Sequence, residues 1–282
     1  MKRFFLCICL AIATYPTFAQ IQYGSLGVAY YSKDKDKIIM AADSRALMTN
    51  GAPPVDNYCK IAAPHRKIIF VATGSGGHKN RGPADPVQSW SGTEEIHRAY
   101  DIASLLPTTN SDLLWRTASE WIESVSHHFD DLYRSDPQQV IDLARIQNGG
   151  LIKAFIGGME NDGKLILFKM SITFRPSITG NIHYEKGTVL PCPESFCPLG
   201  DIDIAEEFIK QTSARANKEA REWKPPKTSK PEDYEILKTM RFVKLTEIYN
   251  KGNDVAGPID AVQMTKDGSV HWYAKKENCA DD

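Results

Sequence analysis

The sequence predicts an α+β fold made of antiparallel sheets and grouped helices. Apolar runs of strand length come in hairpin pairs, joined by charged or Asn-Asp-Gly turns. Helical periodicity is confined to two blocks, 93–133 and 202–249, and strands close the chain. A doubly wound parallel sheet would alternate strand and helix, and this order does not. With 42% hydrophobic and 24% charged residues in 282, the composition is that of a globular chain, which excludes disorder, collagen and coiled coil. The balance of 34 basic against 35 acidic residues creates no field to attract nucleic acid or an anionic membrane.

The first nineteen residues read as a secretory signal. Lys2 and Arg3 precede the apolar run 4–13, Pro16 breaks it, and Thr17-Phe18-Ala19 offers small residues where signal peptidase reads. The run is too short to stay in a bilayer as a spanning helix. Cleavage after Ala19 predicts a mature chain from Gln20 that is secreted or periplasmic, not membrane-bound, and folded as one domain over 20–282. Four cysteines then remain in an oxidising compartment, Cys59, Cys192, Cys197 and Cys279. Cys192 and Cys197 close a short Pro-flanked loop and are the favoured local pair, which leaves Cys59 for Cys279.

Leu26 to Tyr31 and Ile38 to Ala42 predict a hairpin around the charged turn 32–37, its second strand apolar enough to be buried on both faces. A loop with Asn50-Gly51 and Pro53-Pro54 leads to a short strand around Cys59-Lys60-Ile61. Lys67 to Thr73 is strongly β and runs into Gly74-Ser75-Gly76-Gly77. Thr93 to Ser104 is weakly helical. Ser111 to Tyr133 predicts a longer helix with Leu114, Ala118, Trp121, Ile122, Val125 and Phe129 on one face. Strands 151–157 and 164–172 flank Asn161-Asp162-Gly163, a strong turn signal. Further β character lies at 181–190. A helix is expected from Ile202 to about Ala220, then a Lys- and Pro-rich surface insert 224–231, then a helix 234–249. Strands 259–265 and 269–274 close the chain around Lys266-Asp267-Gly268.

No phosphate loop, dinucleotide fingerprint or Gly-x-Ser-x-Gly elbow occurs. His127-His128 and Asp130-Asp131 cannot converge on one ion, because neighbours on a helix diverge by about 100°; they read as a solvated face. The five tryptophans are scattered and read as core or rim. What stands out is Ala41-Ala42-Asp43-Ser44-Arg45 at the end of a buried strand, Lys60 a loop later, and a strand running into Gly74. Taken singly, Asp43 suits a turn cap, Lys60 an edge strand and Gly74 a tight turn.

In chain order these residues resemble the proteasome β-subunit family, and Gly257-Pro258-Ile259-Asp260 before the last hairpin extends the likeness over most of residues 24–275. The resemblance implies an N-terminal-nucleophile hydrolase fold, a four-layer αββα sandwich with two antiparallel sheets. It also implies cleavage of amide or peptide bonds through an acyl-enzyme, without metal or organic cofactor, on a peptide or small amide substrate. Asp43 matches the family's catalytic aspartate, Lys60 its lysine, and Gly74 the glycine whose N–H helps form the oxyanion hole. The family's threonine nucleophile has no counterpart, but Gly24-Ser25 directly precedes the first strand. Ser25 falls in register if the turn 32–37 holds the extra residues; if they lie elsewhere, Tyr23 falls there and no nucleophile exists. Gly200-Asp201 stands where the family has an assisting serine, and Asp254 is the nearest match to its aspartate before the last strands. Two other outcomes stay open: a catalytically silent protein of this fold acting as a binding or assembly module, and a small-molecule amidase. The ring-forming habit of the family makes a homo-oligomer the expectation for a peptidase.

Overall fold

The computed structural model describes residues 20–24, 26–32, 34, 36–49, 53–79, 87–107, 109–176, 182–186, 190–191, 195–200, 202–252, 254–277 and 279. The expected signal, Ser25, Cys192 and Asp201 lie outside them. The N-terminal strands are β1 (Gln20–Tyr23), β2 (Leu26–Tyr31), β3 (Lys37–Ala42), β4 (Leu47–Met48), β5 (Ile61–Ala62), β6 (Ile68–Gly74), β7 (Gly77–Lys79) and β8 (Trp90–Ser91). Helices α1 (Gly92–Ser104), α2 (Asn110–Ser135) and α3 (Pro137–Ile146) follow. Then come β9 (Gly150–Met159), β10 (Leu165–Pro176), β11 (Ile182–Lys186), β12 (Leu190–Pro191) and β13 (Phe196–Gly200). The C-terminal third holds α4 (Ile202–Lys210), α5 (Ala214–Glu222), α6 (Tyr234–Tyr249), β14 (Asp260–Thr265) and β15 (Val270–Ala274).

Two antiparallel sheets face each other, one ordered β11-β10-β9-β6-β5 with β12 on β10, the other β13-β2-β3-β14-β15. Their shared interior is apolar: Ile38, Met40, Ile69, Val71, Phe155 and Val262 are all completely or nearly completely buried. α1, α2 and α3 cover the outer face of the first sheet through Ile96, Trp121, Val125, Phe129 and Leu143. α4, α5 and α6 cover the second through Phe208, Ala216, Phe242 and Val243. The result is the αββα sandwich that the resemblance implied. Each sheet needs both faces covered because both are apolar, which explains why β3 and β6 lack polar alternation.

The helix starts are written in the sequence. Ser91, Thr109, Asp136 and Ser213 each accept a hydrogen bond from the backbone N–H three residues on, and Pro137 occupies the first turn of α3. All six residues expected on the inner face of α2 are buried. Trp121 is fully buried among them and donates its Nε1–H to the Gly92 carbonyl at 2.9 Å, so its one polar atom is satisfied.

Two readings need correction. The helix expected over 202–220 is two helices, broken where Gln211 adopts a φ of +52° and Ser213 caps a new start. His128 is not on a solvated face: it stacks on Trp90 at 5.0 Å and bonds Glu95 at 3.1 Å. The sequence reading assigns no element to residues 20–23, yet β1 pairs with β4 on one side and β7 on the other, in a small sheet ordered β4-β1-β7-β8. Among the described residues no helix is long and apolar enough to cross a membrane. A disulfide joins Cys59 to Cys279, as the cysteine pairing expected, and Cys197 is disulfide-bonded as well.

Candidate active site

The site is set by the register of β2 on β3. Pairing runs unbroken from Gly27↔Ala42 to Tyr31↔Ile38, and Ser32 N–H closes on the Lys37 carbonyl. At the other end this register puts Asp43 beside the start of β2. Its Oδ1 accepts from Leu26 N–H at 2.9 Å and from Lys60 Nζ at 2.8 Å. Its Oδ2 accepts from Arg45 N–H at 3.1 Å and Ala256 N–H at 3.2 Å. Four donors on one carboxylate satisfy it fully, as a buried charge requires.

Lys60 is 3% exposed and Asp43 1%. The Lys60 ammonium also donates to the Arg45 carbonyl at 2.5 Å. Burial pushes the lysine's pKa down, and the adjacent Asp43 carboxylate opposes that shift. An edge-strand lysine would be solvated, so that reading does not hold. The turn-cap reading of Asp43 is correct as far as it goes, because Arg45 N–H is bound two residues on, but the same carboxylate also ties β2, Lys60 and the segment before β14 together.

Gly74 ends β6 with a φ of +98°, and a Cβ there would lie 2.8 Å from the Leu151 carbonyl oxygen and 2.8 Å from Gln147 Oε1. Left-handed backbone and a close carbonyl both demand glycine. Gly74→Ala is therefore expected to lower stability by about 2–3 kcal/mol, read as a lower urea midpoint at unchanged slope; an unchanged midpoint would show that the β6 end relaxes freely. Gly24 is likewise left-handed, with a φ of +102°.

A cleft of about 480 Å³ opens at this end of the sandwich, lined by Gly24, Thr73, Gly74, Lys153, Gly200 and Asp254 among others. A small cavity of about 10 Å³ also touches Gly24 and Gly74, and Lys60 reaches it together with Tyr58. Lys60, held by Asp43, lines the small cavity, Gly74 lines both, and Asp254 lines the cleft. Of the fifth expected residue, Ser25, the chain neighbour Gly24 lines both as well. Asp254 accepts a hydrogen bond from Asn250 Nδ2.

Sequence reasoning missed a second buried pair behind the first. Lys276 Nζ bonds Asp260 Oδ2 and donates to Ser44 Oγ at 2.7 Å, while Lys276 N–H donates to Asp260 Oδ1 at 3.0 Å. Both charges act on Lys60, Lys276 lowering its pKa and Asp260 raising it. Its one legible signal is Asp260 in the apolar strand β14. Thr73 and Lys153 also escaped notice.

No family model matches the chain, and no curated protein matches it. Among solved structures it is similar to Anbu (ancestral beta-subunit) from Yersinia bercovieri, at 13% identity over 90% of this chain and 88% of that one, with a TM-score of 0.48. The fold stands on the chain's own layers and pairings, and that likeness says nothing of its chemistry.

Proposed function

We propose that the chain is an exported N-terminal-nucleophile hydrolase of amide or peptide bonds, with Ser25 as nucleophile once the Gly24–Ser25 bond is cut. The observation that carries this reading is the buried Asp43–Lys60 pair bound to the N–H of Leu26, the residue after Ser25. Gly24 and Gly74 line the same cavity as Lys60. The freed α-amine, titrating near pH ~8, accepts the Ser25 hydroxyl proton as the oxygen attacks the amide carbon. The Lys60 ammonium, fixed by Asp43, disfavours protonation of that amine and stabilises the nascent alkoxide. The Gly74 N–H is the donor assigned to the tetrahedral oxyanion. Collapse breaks the C–N bond, the leaving amine takes the proton, and water then hydrolyses the Ser25 ester by the reverse proton path. The disulfide Cys59–Cys279 is compatible with an extracellular or periplasmic location.

A second reading, a silent binding or assembly module, is favoured by one fact: β1 is paired on both sides, so the chain ahead of Ser25 is built into a sheet. Intact mass and N-terminal sequence of the exported protein decide between them. A terminus at Ser25, and in Ser25→Ala a terminus at Gln20 with hydrolysis lost, is the expected result. A folded, exported wild-type chain that retains Gln20 to Gly24 would sink the hydrolase reading.

A further inference from the structure

The interior face of β6 and β9 is apolar through Ile69, Val71 and Phe155, and changes character at the cleft. There the cross-strand partners are Thr73 and Lys153. Thr73 is 2% exposed, lines the cleft, and its Oγ1 has no hydrogen-bond partner. A buried hydroxyl left unpaired is costly unless a ligand completes it. Beside it, Lys153 is half-buried and, among the described residues, bonds to no carboxylate. Burial and then the like charge of Lys169, a diagonal neighbour across β9 and β10, lower its affinity for a proton.

Among the described residues, the two acidic groups on the cleft do not answer this charge. Asp203 is exposed on the first turn of α4, and Asp254 is engaged by Asn250. A lysine kept only for packing would be served equally by methionine, without a charge to desolvate. An anionic ligand oxygen would meet the ammonium and the Thr73 hydroxyl together, which is what a carboxylate with two acceptor oxygens needs.

We propose that Lys153 and Thr73 form a carboxylate-recognition subsite, so that the preferred substrates are amides carrying an acidic group. The inference rests on the hydrolase reading for the word substrate, though not for the binding itself. The probes are peptidyl aminomethylcoumarins bearing Glu, Leu or Lys at each of the last three positions before the amide. Wild type is expected to prefer one Glu series. Lys153→Met lowers kcat/KM for that series by about 10- to 100-fold, the worth of a charge-assisted hydrogen bond, and leaves the Leu series within about threefold. The loss falls mainly on KM, since the ammonium binds ground and transition states alike. Lys153→Arg restores part of the preference, and Lys153→Glu moves it to the Lys series.

Equal losses on Glu and Leu probes, or none, would overturn the subsite and leave the hydrolase standing. Should no probe be cleaved by wild type, titration calorimetry with glutarate on the full mature chain replaces the rate. Binding that Lys153→Met weakens at least tenfold supports the subsite without the hydrolase, and absence of glutarate binding to wild type overturns it.

Discussion

Lys60→Met is expected to lower hydrolysis by about 10²- to 10⁴-fold, the range for losing a group that assists proton transfer or holds developing charge. It is also expected to cost about 3–5 kcal/mol of stability, because one partner of a buried pair is removed and the other stays charged. Asp43 keeps its three N–H donors in the variant, from Leu26, Arg45 and Ala256, which places the loss toward the lower end. The two effects separate when the rate is taken per folded molecule, well below the variant's urea midpoint, where a loss of stability alone leaves it unchanged. Full activity in a folded Lys60→Met protein would exclude Lys60 from the chemistry. The unsubstituted protein offers a check on sign as well. Burial lowers the Lys60 pKa, so the ammonium is lost on raising the pH before the ordinary lysine value of 10.5 is reached. Activity that needs the ammonium should fall through that lowered pKa. Stability moves the other way: between the folded and unfolded pKa the unfolded chain binds more protons, so this group makes folding more favourable as pH rises.

The parts of the fold that were legible in the sequence are those fixed by local pattern. The β2–β3 hairpin, the inner face of α2 and the closing strands follow from periods of two and 3.6 and from turn residues. Asp43, Lys60 and Gly74 drew attention only in chain order, through the family resemblance, because each taken singly has an ordinary turn or edge-strand reading. The rest depends on contacts between distant segments. β1 is four residues long and owes its place to β4 and β7, neither of which carries a clear strand pattern. The break at Gln211 has no glycine or proline to announce it, only Ser213 as the next cap. Thr73 and Lys153 lie 80 positions apart and become neighbours only through the β6–β9 register.

Replacing both Cys59 and Cys279 by serine is expected to remove about 4–5 kcal/mol, because the bond spans 220 positions and long loops gain most from closure. For a chain of this size that is a fall in Tm of about 10–15 °C. The double variant is cleaner than a reductant, since Cys197 is disulfide-bonded too. The effect should reach the site before the fold gives way. Cys59 is joined directly to Lys60, and Cys279 lies against Asp260, the carboxylate that holds Lys276. The bond therefore clamps the loop carrying one buried lysine to the tail carrying the other. Rate measured well below the new Tm should drop in the variant by more than the unfolded fraction explains. A rate that simply tracks the folded fraction would make the disulfide a staple of the fold and no part of the site's positioning. A rate that depends on the bond in this way would be compatible with an extracellular or periplasmic location, where cysteines stay oxidised.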